Sequence, residues 1–180
     1  MIAVLLLGCS GSHSDKPKEK PPDKQEPKSS VPSFVQTNTG EATYKGKDNE
    51  KLWTIHWEQG SFSMPKPGNK KESSGSMIGV FGDIFREGKV TCKFKANKGS
   101  AFESSTTKRL TLTDHVRLDA QNPAVTLLCD ELVYDGIKKF YKAKGHVQIL
   151  GTVGSKGTLE EVWANADLTK LASPELYDKP

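Results

Sequence analysis

The chain has 180 residues, 34% of them hydrophobic, with 26 Lys+Arg against 22 Asp+Glu, 10 Pro, 16 Gly and 3 Cys. That length suits one domain with appendages. The longest apolar stretch, Ile2 to Leu7, is far short of the roughly 20 residues that span a bilayer, which excludes a polytopic helical membrane protein. The mild charge excess is less than nucleic-acid binders concentrate, and cysteine is too sparse for a disulfide scaffold or a multi-cysteine zinc module.

The chain opens with a short apolar run that ends Leu7-Gly8-Cys9-Ser10. This resembles the end of a bacterial lipoprotein signal peptide. The resemblance implies that residues 1–8 are removed and that Cys9 carries the lipid, its thiolate acting as the nucleophile. No Lys or Arg precedes the run. Residues 9–33 then form the lipidated Cys9 and a tether. Ser10 to Ser33 holds five Lys, four acidic residues and five prolines, with Val31 its only large aliphatic residue. Such a segment cannot bury enough apolar area to offset its ordering entropy, and the expected state is a disordered, extended linker.

The domain, residues 34–180, reads as strands. Trp53, Ile55 and Trp57 alternate with Thr54 and His56. Val90, Cys92 and Phe94 alternate with Thr91, Lys93 and Lys95. Leu110, Leu112, Val116 and Leu118 form a row that Asp114 interrupts, and Tyr141, Ala143, Gly145, Val147 and Ile149 form another. Period two means one dry and one wet face, as in antiparallel sheets. Gly46 to Asn49, Pro65 to Gly68, Arg86 to Lys89, Gln121 to Pro123 and Asp135-Gly136 are breaks, the last suiting a two-residue hairpin turn. About nine or ten strands are expected between Gly40 and Leu168. Leu159 to Leu171 fits helix or strand, and strand is chosen. Pro65 to Ser76 is expected to be a mobile loop. His115-Val-Arg-Leu118 recurs as His146-Val-Gln-Ile149, 31 residues on, which suggests stacked hairpins.

Several of these pieces together resemble the LptC family of lipopolysaccharide-export proteins, in the OstA-like superfamily. They are Lys95 to Gly99, Leu110 to Leu118, Leu128 to Asp135, Tyr141 to Ile149 and Gly157 to Leu168, preceded by Gly40 to Tyr44 and Trp53 to Trp57. The resemblance covers roughly Gly40 to Lys170 and rests on patterns of strand, Gly and Asp in order. It implies an all-β, antiparallel, twisted β-jelly-roll, open along one side. It also implies that an apolar groove shields acyl chains of lipopolysaccharide, and that edge strands pair with an LptA-like bridge protein by β-strand addition. The partners would include inner-membrane export transporter components, with no nucleic acid. The family's usual transmembrane tether would be replaced by lipidated Cys9, holding the domain in the periplasm at the inner membrane. Ser10 after Cys9 points instead to outer-membrane sorting in some bacteria.

The inward-facing candidates for lipid contact are Trp53, Ile55, Trp57, Ile78, Val80, Leu110, Leu112, Val116, Leu132, Tyr134, Val147 and Ile149. A groove needs many such residues and no catalytic group, since apolar burial is worth about 25 cal/mol per Å². The edges are expected near Tyr44 and from Val162 to Asp167. No metal-ligand His spacing, phosphate loop or Gly-x-Ser-x-Gly elbow is present, so no enzyme, cofactor or metal is expected. His56, His115 and His146 fall on the wet parity. Cys92 has inward parity, Cys129 leans to the other face, and two separate buried thiols are favoured over a disulfide. The alternative reading is a lipid-anchored β-sandwich that binds carbohydrate or protein, which would show exposed aromatics on an outer face.

Overall fold

The computed structural model describes residues 34–46, 48–63, 72–151 and 156–177. The chain divides into residues 1–31 and Pro32–Pro180, and the expected signal and tether lie outside the described residues. Eleven strands make one antiparallel sheet. They are β1 (Phe34–Thr37), β2 (Gly40–Lys45), β3 (Lys51–Trp57), β4 (Gln59–Ser63), β5 (Ser73–Arg86), β6 (Lys89–Glu103), β7 (Lys108–Gln121), β8 (Ala124–Asp135), β9 (Phe140–Gly151), β10 (Lys156–Asn165) and β11 (Leu171–Ala172). From β5 to β11 each strand pairs with the next, while β3 and β4 share the other edge of β5. The ends of the sheet do not pair, so it stays open. No helix among the described residues is long and apolar enough to cross a membrane.

Glu87-Gly88 forms a two-residue turn with both residues at positive φ (52° and 76°), the geometry that matches strand twist. Asp135-Gly136 is different. The connection runs from Gly136 to Lys139, and the Asp135 carboxylate accepts hydrogen bonds from the backbone N–H of Ile137 (3.0 Å) and Lys138 (3.1 Å). The two-residue turn read from the sequence is therefore corrected to a four-residue loop, because the carboxylate caps a wider turn. Ser73–Ser76, expected as loop, belongs to β5, where Ser74 and Ser76 oppose Phe102 and Ser100. Of the segment Leu159 to Leu171, chosen as strand, Leu159 to Asn165 lies in β10, whereas Ala166 to Lys170 turns the chain into β11.

A seam crosses the sheet at one level. The register places Glu58, between β3 and β4, opposite Gly79, and Gly79 opposite Asn97. Next come Asp114-His115, Asp130 and Gly145-His146, where register shifts occur between β6 and β7, β7 and β8, and β8 and β9. Gly79, Asp114, His115, Gly145 and His146 all have positive φ, between 46° and 70°. A left-handed residue inside a strand is a bulge-type break that re-aims the side chains beyond it. In β5 the buried positions run Gly75, Met77 and then Val80, Gly82, Ile84; in β8 they run Leu127, Cys129 and then Leu132, Tyr134. The inward phase therefore shifts by one at the seam in β5 and β8, whereas in β7 and β9, where two left-handed residues follow each other, Leu110, Leu112, Val116 and Leu118, and Tyr141, Ala143 and Val147, keep one parity. The repeated His-Val-x-aliphatic motif is this seam recurring in β7 and β9.

The long strands coil until the inner face closes on itself. Trp53 on β3 meets Tyr134 on β8. The Cys92 thiol on β6 and the Tyr141 hydroxyl on β9 both donate to the Ala166 carbonyl, at 3.4 and 3.2 Å. Ion pairs Arg86–Asp167 and Lys139–Glu50 bridge the same closure from outside. One apolar cluster runs through the whole interior, and no polar or charged residue among those described is buried in it.

Candidate functional site

The inner face is the candidate site, and it is built by three groups of strands. β3 supplies Trp53, Ile55 and Trp57, which face inward as the alternation predicts. β3 lies close to β5 because Gly82 has no side chain: a Cβ there would stand 2.0 Å from the Thr54 carbonyl oxygen. β5 and β7 add Val80, Leu110, Leu112 and Val116, all at most 2% exposed. β8 and β9 add Leu132, Tyr134 and Val147, at most 1% exposed, with Ile149 half-buried against the same cluster.

Eleven of the twelve predicted residues thus share the interior, and Ile78 does not. Ile78 is 52% exposed on the outer face. Gly79, with φ of 64°, turns the strand by one phase, so Met77 and Val80 point inward and Ile78 points out. The same reset corrects Cys129, which is buried on the inner face. Ile84, Phe94, Leu118 and Tyr141 complete the lining. All four sit in runs of period two, so their signal was present in the sequence.

An aromatic chain marks the centre. Tyr44 stacks on Trp53 (4.9 Å between centroids), Trp53 meets Tyr134 edge-on (5.7 Å), and Tyr134 lies against Tyr141 (4.7 Å). Trp53 Nε1 and the Tyr134 hydroxyl are buried and have no hydrogen-bond partner among the described residues. Such an orphan costs about 1–3 kcal/mol. Burial pushes the hydroxyl pKa values of Tyr134 and Tyr141 well up. It also pushes the thiols of Cys92 and Cys129 up to about 11 and about 12, so both are free, neutral and unreactive at ordinary pH.

The interior is filled by its own side chains. Depressions of about 670, 590 and 530 Å³ are lined mostly by outward residues, the first also reaching Met77 and the second Val116 and Cys129. Ser61, Ser76, Ser100 and Thr111 line the first, and Arg109, Lys142, Lys144 and Trp163 the third. The three described histidines are also outside. His56 stacks on Phe81 (4.9 Å), His115 Nδ1 lies 2.6 Å from Asp114, and His146 Nδ1 lies 2.7 Å from Asp130, whose carboxylate holds the His146 pKa above its ordinary value.

Of the expected edges, β2 with Tyr44 pairs only with β3 and is an edge. β10 is covered at Trp163 and Ala164 by β11, which the sequence reading did not foresee. The architecture defines the class: an all-β protein built on one open, curled antiparallel sheet. No family model matches the chain, and no curated protein matches it.

Proposed function

We propose that this chain is a non-enzymatic lipopolysaccharide-transport protein, similar to the LptC family, which shields acyl chains between the layers of its curled sheet. The observation that carries the reading is an interior in which, among the described residues, no polar or charged residue is buried, lined along strands of 14 or 15 residues. Strands of that length span about 46–50 Å. Because the sheet is unclosed, its layers can part without breaking a barrel. Neighbouring side chains fill these inner positions, and in this reading loading exchanges contacts such as Trp53–Tyr134 for contacts with an acyl chain. That exchange keeps apolar area buried, so its net cost is far below the cost of exposing the same area to water.

In this reading the lipid on Cys9 holds the domain at the periplasmic side of the inner membrane, beside the export transporter. The outer edges of β1–β2, and of β10 before Trp163, take strands from a bridge protein in this reading. The carbohydrate reading asks for aromatic platforms outside; Phe81 and Phe102 are exposed there, but Trp53 and Trp57 are interior and Trp163 is half-buried with Lys142 over its ring.

A photoreactive amino acid placed in cells at Leu112, Val116 or Val147, and separately at outward Thr113, tests the proposal. Capture of lipopolysaccharide from the three inner positions, with little from Thr113, is expected. Capture from Thr113 alone overturns it.

A further inference from the structure

The three tryptophans divide by what their indole N–H groups meet. Trp57 Nε1 donates to the Thr37 hydroxyl at 3.0 Å and to the Asn38 carbonyl at 3.1 Å. Trp163 Nε1 donates to the Glu161 carboxylate at 2.6 Å. Trp53 is the most deeply buried of the three, and its Nε1 has no acceptor among the described residues. Two interior tyrosines divide in the same way. The Tyr141 hydroxyl donates to the Ala166 carbonyl at 3.2 Å, while that of Tyr134 has no partner among the described residues. The fold thus supplies acceptors to the neighbours of Trp53 and Tyr134 but not to these two. A Phe ring at position 134 would pack in the same place without an orphan hydroxyl, so the hydroxyl asks for a reason.

Trp53 stands on β3 and Tyr134 on β8, and their rings meet edge-on across the interior at 5.7 Å. Loading opens this contact, so a group that enters there meets one polar side chain on each wall. That group must be an acceptor, because an indole N–H can only donate. It must also be uncharged. No cation is buried among the described residues to neutralise an anion, and an unpaired buried charge is strongly unfavourable. A carbonyl oxygen meets both conditions: it offers two lone pairs and brings no proton that would need an acceptor of its own.

We propose that Trp53 Nε1 and the Tyr134 hydroxyl are the hydrogen-bonding seat for the ester or amide carbonyl that joins an acyl chain to its headgroup. This rests on the acyl-shielding reading and adds which part of the lipid is recognised.

The test titrates the full chain, carrying Cys9→Ser so that no acyl anchor competes, with two probes below their micelle concentrations. One is a lysophosphatidylcholine with a single ester-linked chain. The other is its ether-linked analogue of equal chain length, which lacks the carbonyl. Calorimetry should show the ester probe binding about tenfold more tightly. Tyr134→Phe should weaken the ester probe about threefold or more, leave the ether probe unchanged and leave the melting temperature no lower. The Trp53 indole N–H proton resonance should move further downfield with the ester probe than with the ether probe. Equal affinity for the two probes overturns this inference and leaves the transport reading standing, since chains then enter without the carbonyl being read. Binding of neither probe counts against the acyl-shielding reading itself and removes the inference with it. An ester preference that survives Tyr134→Phe overturns the proposal. So does a lowered melting temperature in that variant, which would show the hydroxyl satisfied within the protein.

Discussion

Inside the curl, aromatic rings pack on other apolar groups; Trp57 and Tyr141 find hydrogen-bond acceptors, but Trp53 Nε1 and the Tyr134 hydroxyl have no partners among the described residues. Outside, rings carry cations: Lys51 lies over Phe85 at 4.7 Å, Lys142 over Trp163 at 4.5 Å and Lys170 over Tyr177 at 4.7 Å. Phe85 and Trp163 are half-buried and Tyr177 is buried, and in each case the cation covers part of the ring. The inner face instead tolerates two unsatisfied polar atoms to remain apolar throughout. That difference separates a surface adapted to water from one adapted to exclude it, and each prediction below probes it.

The largest effect should come from placing a charge inside. Val147→Asp is expected to cost about 4 kcal/mol or more, because the carboxylate finds no partner at a fully buried site. Lys142→Asp, one face away, should cost no more than about 1 kcal/mol, mainly through the lost ring contact. Urea unfolding of both variants measures the gap, and equal costs would refute the inward assignment of Val147.

Alkaline pH should come next. The thiols of Cys92 and Cys129 rise from an ordinary 9.0 to about 11 and about 12 in the fold. A raised pKa means the folded state holds its proton more tightly. The associated stability is complete below pH 9 and is lost as pH climbs towards 11–12. Unfolding free energy should therefore fall by something on the order of 2 kcal/mol between pH 8 and 10. Replacing both cysteines by Ala should flatten that slope.

The smallest effect concerns an orphan. Tyr134→Phe removes a hydroxyl that has no partner and leaves the ring in place. It should leave stability unchanged or raise it by about 1 kcal/mol. A clear loss in thermal unfolding would show that the hydroxyl is satisfied after all.

Period two made most of the sheet legible. Trp53, Ile55 and Trp57 lie within one uninterrupted half-strand, so their alternation maps directly onto faces. Ile78 and Cys129 were misread because each borders the seam, where one left-handed residue or an offset in register shifts the phase. Asp114 looked like a polar interruption of one apolar row, yet with His115 it is the break between two rows. β11 has only two residues and no periodicity to detect. The filling of the interior is a matter of how far long strands coil, which residue order along one strand does not encode.

The seam also bears on how the chain tolerates changes in length. In a flat strand, one inserted residue inverts every side chain beyond it. Here β5, β6 and β8 already shift phase once, while β7 and β9 pass the seam through two left-handed residues in succession and keep theirs. A single-residue insertion beside Asp114-His115 or Gly145-His146 can be absorbed where the ladder is already irregular. The same insertion at Leu118 or Ala143 would turn a run of buried aliphatics towards water. Natural variation in strand length should therefore gather along a line through the middle of the sheet, as well as at its loops.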